Sequence, residues 1–138
     1  LEFRAKLFAL VIAANEDAKV ENYMTVKKRG MEIYKDDEDR ANLLTLSTKE
    51  LVTKIKENNE LNIDTLILNI QRELRQVPRY AKKIDIDPLK ELVTLSHDRD
   101  TISYQENIIE FLETHKEETL HEKKSQIEKD EAKIESKY

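Results

Sequence analysis

Six carboxylates in two short segments are the residues of this chain best placed by type and spacing to do chemistry. Glu16, Asp17 and Glu21 lie in "NEDAKVE", and Asp98, Asp100 and Glu106 lie in "HDRDTISYQE". Hard cations such as Ca²⁺ take about six to eight oxygen ligands, often from loop carboxylates. Asp17, Glu21, Asp98, Asp100 and Glu106 are therefore candidate metal ligands, with a divalent cation such as Ca²⁺ as the candidate cofactor. Neither segment has the glycine-bearing spacing of a self-contained Ca²⁺ loop, so a site requires the two segments to lie side by side. Acids are equally at home at helix N-termini, where they meet unpaired N–H groups and the positive end of the helix dipole. Capping and solubility thus account for the same residues, and both readings stand at this point.

Other chemistries find less support. Cysteine is absent, which excludes disulfides, thiolate metal sites and a cysteine nucleophile, and is compatible with a reducing cytoplasm. A single glycine cannot build a phosphate-cradling loop. His97, His115 and His121 are too scattered for a zinc triad, although His97 stands next to Asp98. Ser47 in "STKE" and Ser103 in "SYQE" read as capping boxes rather than nucleophiles. The expectation is a protein that is not an enzyme, because nothing sets an acid and a base at one named place.

The elements that must position the acids are helices. One Gly and two Pro among 138 residues are too few for the turns of a β protein, and the abundant Leu, Glu, Lys and Ala favour helix. The spacing predicts an all-α, compact bundle of five to seven helices with a protruding C-terminal helix. Residues 1–14 carry Phe3, Leu7, Leu10 and Val11 on one face, widened by Phe8 and Ile12, as in a central helix contacted from two sides. A second helix spans 20–34, with Val20, Tyr23, Met24, Met31 and Ile33 as its apolar positions. Gly30 inside it marks a close helix–helix contact or a helix end. The acidic "KDDED" at 35–39 suits the start of the next helix, over 40–46, and the Ser47/Glu50 box opens another through 56. Asp64 caps a helix to about 77, Pro78 breaks it, and 79–83 form a further turn. Asp87 and Pro88 open a helix to about 96, and Ser103 with Glu106 caps the last.

Beyond His115 the apolar pattern thins to Leu120, Ile127 and Ile134, one residue per heptad. Residues 1–115 are the expected domain, and 116–138 a charged helical tail able to pair with a second copy or dock on a protein partner. The net charge of −5 argues against a nucleic-acid partner. The basic groups Lys27, Lys28 and Arg29, and Arg72, Arg75, Arg79, Lys82 and Lys83, read as solvated helix faces. The longest apolar run, at 7–14, is far short of the roughly 20 residues of a bilayer span, so no transmembrane segment is expected. A start at Leu1 rather than Met reads as a piece of a longer chain.

Residues 10–26 and 92–108 align without gaps, matching Leu10 with Leu92, Val11 with Val93, Val20 with Ile102 and Val26 with Ile108. Each unit is helix, acidic loop, aliphatic residue, helix. In this the chain resembles the TerB-like (tellurite-resistance-associated) helical domains, whose two helical pairs carry loops of the form A-D-G-x-I-x-x-x-E. Asp17 and Val20 match the acid and the aliphatic residue of the first loop. Ala18 replaces its glycine and Met24 its glutamate, with Glu21 nearby. Ile102 and Glu106 match the second loop, where Arg99 occupies the acid position between Asp98 and Asp100. The resemblance covers roughly residues 3–115. It implies an all-α bundle, divalent-cation binding by the acidic loops and a non-enzymatic role in stress-response or membrane-associated complexes. The alternative expectation is an assembly protein without a ligand that oligomerises through its C-terminal helix.

Overall fold

The computed structural model describes residues 1–16 and 18–136. Six α-helices and one 3₁₀ helix follow in order: α1 (Glu2–Ala13), α2 (Val20–Ile33), α3 (Glu38–Lys56), α4 (Ile63–Gln76), the 3₁₀ helix (Pro78–Lys83), α5 (Ile86–Val93) and α6 (Arg99–Ser136). No strand occurs among the described residues.

Helix α1 is the axis of the bundle. Phe3, Leu7, Phe8, Leu10, Val11 and Ile12 are all buried, and α3, α4, α5 and α6 pack around it. From Leu7 onward the helix is apolar all round and is enclosed, as a helix apolar on every face must be, whereas Glu2, Arg4 and Lys6 keep its first turns partly at the surface. Helices α4 and α5 are amphipathic, burying Leu66, Ile70 and Leu74, and Leu89 and Leu92. Pro78 ends α4 and opens the 3₁₀ helix, since it lacks an N–H and clashes with a preceding helical turn.

Helix α2 departs from the sequence expectation. Its buried residues are Asn22, Val26 and Gly30, whereas Val20 and Met24 are 72% and 64% exposed. The inward stripe is set by close approach to α3 rather than by apolar size. A Cβ on Gly30 would sit 3.1 Å from both Cα and Cβ of Ala41 and 3.3 Å from Leu44 Cδ2. Glycine allows this approach and buried Ala41 completes it.

Several helix starts also differ. Helix α3 runs unbroken through Ser47, and its cap is Asp37, which accepts the Arg40 N–H at 3.2 Å. An amide already bonded within a helix offers Ser47 no orphan donor to cap. For the same reason Ser103 lies inside α6, whose start is capped by Asp98. Asn62 rather than Asp64 caps α4, accepting the Thr65 N–H at 2.8 Å, and Asp85 rather than Asp87 caps α5. With the single glycine inside α2, the turns after α2 and α3 place Lys35, Asp36, Asn58 and Glu60 at positive φ. There the Asp36 N–H reaches back to the Met31 carbonyl and the Asn59 N–H to that of Lys54, closing the helix ends.

Helix α6 is 38 residues long, about 57 Å at 1.5 Å per residue. Its first half buries Ile108, Ile109 and Leu112, and Leu120 still packs on the core. Lys116 donates to the Ile84 carbonyl at 2.6 Å. Further on, Ile127 and Ile134 are 49% and 59% exposed. No described helix is long and apolar enough to cross a membrane.

Candidate functional site

The edges of the two acidic loops meet through a neutral polar chain. Asn15 Nδ2, after α1, donates to Ser96 Oγ at 3.3 Å. Ser96 in turn donates to Gln105 Oε1 at 2.8 Å. Gln105 Nε2 donates to the Val11 carbonyl at 2.9 Å. All three side chains are buried, Gln105 completely. Buried amides and hydroxyls must find partners, and two of these bonds, to Ser96 from Asn15 and to Val11 from Gln105, span 81 and 94 residues of sequence.

The acids take outward positions. Asp98 accepts the backbone N–H of Thr101 at 3.0 Å and its hydroxyl at 3.1 Å, which is a helix cap. Asp100 and Glu21 are exposed in the first turns of α6 and α2, where they favour the helix dipole. Glu106 is exposed and borders a shallow depression with Lys90, Val93 and Glu110. Asp17 lies outside the described residues. Among those described, no three His, Asp or Glu side chains form a group able to hold a metal ion. The first loop already has a cationic neighbour, because Lys56 Nζ donates to the Glu16 carbonyl at 2.9 Å.

The histidines are also apart. His97 and His121 are exposed, while His115 packs 4.4 Å from the Phe111 ring and 3.4 Å from Gln71 Nε2. Between α2 and α5, Arg29 clamps Glu91 at 2.6 and 2.7 Å. That hydrogen-bonded guanidinium holds the Glu91 carboxyl below its ordinary pKa.

A groove of about 580 Å³ runs between the end of α4 and the distal part of α6, with Leu74, Pro78 and Ile127 as apolar lining and Arg75, Glu118 and Lys123 as charged lining. The Gln105 junction escaped the sequence reading although its signal was present: Gln105 interrupts the inward stripe Ile102, Ile109, Leu112. Comparison of the chain with protein-family models, curated proteins and solved structures returns no significant match.

Proposed function

We propose that this chain is a non-enzymatic helical interaction module of the TerB-like kind, and that it pairs with a second copy through the distal half of α6. The observation that carries the reading is the exposed heptad series Ile127 and Ile134 continuing Leu120 beside the α4–α6 groove. The groove falls within the ~300–1,000 Å³ typical of binding sites. Acids and lysines are interspersed along the tail, for example Lys123, Lys124, Glu128, Lys129, Asp130 and Lys133, so a second copy brings both signs of charge to the contact. A stress-response role and a cytoplasmic location belong to the same proposal and rest on the family resemblance and the cysteine-free composition.

Light scattering tests the pairing. The chain is expected to be a dimer at micromolar concentration, and Ile127→Asp with Ile134→Asp is expected to leave a monomer of unchanged core stability. A monomeric starting protein overturns the reading.

The adjacency of the two loops supports a second reading, cation control. On that reading Ca²⁺ shifts the amide resonances of residues 16–21 and 97–100 and leaves α3 and α4 unmoved. Loops that do not respond to Ca²⁺ at millimolar concentration remove it.

A further inference from the structure

Some cations of this acidic chain are paired with carboxylates: Lys6 with Glu73, Lys27 with Glu38, and Lys28 and Arg29 with Glu91. Arg4, Arg79, Lys82 and Lys83 form no ion pair among the described residues. These four are gathered at one end of the bundle from α1 and the 3₁₀ helix. Arg40 of α3 joins them, held only loosely by Asp37 at 3.9 Å.

Two tyrosine rings organise the group. The Arg4 and Arg40 guanidinium carbons each lie 5.6 Å from the centre of the Tyr34 ring. The Arg79 guanidinium carbon and Lys83 Nζ lie 5.8 and 4.6 Å from the centre of the Tyr80 ring. Ring faces attract cations but accept none of the strong N–H hydrogen bonds that a carboxylate or phosphate would take. The ammonium of Lys83 is held below its ordinary pKa by burial and by the positive charges of Arg4 and Arg79, as unneutralised neighbours would require.

Three of these cations, Arg4, Lys82 and Lys83, line a cleft of about 110 Å³ with Leu7 and Leu89 among its apolar walls, while Arg40 and Arg79 stand outside it. Its one carboxylate belongs to Asp85, whose Oδ1 accepts the Asp87 N–H at 3.4 Å as the cap of α5. We propose that this cleft is an anion site that takes the phosphate group of a phosphomonoester. Its size suits a phosphate and not a whole nucleotide, so the rest of such a ligand remains outside, beside the tyrosines. Arginine forks match phosphate oxygens in pairs, and the lysines add mobile point charge.

The test titrates the full chain with inorganic phosphate and with phosphatidylcholine vesicles, plain or containing phosphatidylinositol 4-phosphate. Amide shifts are expected in the first turn of α1 and in the 3₁₀ helix. Lys82→Gln, at an exposed position and so neutral for folding, is expected to weaken binding about tenfold, as loss of a charged hydrogen bond does. Arg4→Gln with Lys83→Gln is expected to weaken it further, with folding checked by circular dichroism. Lys27→Gln with Lys28→Gln is expected to change nothing. Response to free phosphate places the ligand among soluble phosphomonoesters, and binding only to the phosphorylated vesicles places it in a lipid headgroup. No binding of either probe, binding confined to a single-stranded oligonucleotide, or equal weakening by the Lys27/Lys28 variant overturns the assignment.

Discussion

Gln105→Ala is expected to destabilise the protein by about 3–5 kcal/mol, measured by urea unfolding of the full chain. The substitution removes a completely buried side chain, leaves a cavity, takes the Gln105 donor from the Val11 carbonyl and leaves the Ser96 O–H without its acceptor. A cavity from a large-to-small change and an orphaned buried polar group each cost on the order of 1–3 kcal/mol or more. Ser96→Ala, which keeps the Gln105–Val11 bond, is expected to cost about 1 kcal/mol. Because total stability for a domain is about 5–15 kcal/mol, the larger loss brings the fold near its limit. A Gln105→Ala protein as stable as the parent would mean that the junction between the two halves is not held by this chain of hydrogen bonds.

Gly30→Leu is expected to cost about 3 kcal/mol or more, as overpacking of a tight interface does. The nearest obstacles are the backbone and Cβ of Ala41, which cannot rotate away as a long side chain could. Helix propensity acts in the opposite direction, but only by up to about 1 kcal/mol. Leucine therefore either forces α2 away from α3 or unfolds the bundle. Unfolding by heat and by denaturant both read the loss. Unchanged stability would mean that α2 and α3 approach less closely than the geometry shows.

The all-α class and most helix positions were legible in the chain because they rest on strong local signals: few glycines and prolines, wide apolar stripes, and Pro78. The central place of α1 followed from its wide apolar face. The inward face of α2 did not. Apolar size selects Val20 and Met24, but the contact with α3 selects the small residues that allow two backbones to approach. Capping boxes at Ser47 and Ser103 were overridden for a different reason, since neither site interrupts the hydrogen-bonded spiral on which it sits.

One hydrogen bond, from Asn15 to Ser96, links the edges of the two acidic loops, and the residues that meet there are neutral. A carboxylate loses its hydration on burial unless an opposite charge replaces it, whereas amides and a hydroxyl satisfy one another at lower cost. The acids described at that end of the molecule consequently stay at the surface. The basic residues at 79–83 read from the chain as a solvated helix face. Arg4 and Arg40 join them at one end of the bundle only through folding.

The last helix is one unbroken rod, with its base wedged against the central helix through Gln105 and its tip in solvent. A rod fixed at one end converts a small rotation at the root into a large sweep at the far end, and a sideways push on the tip into torque at the root. Any body that seizes the tip therefore gains leverage on the seam between the two halves without touching it.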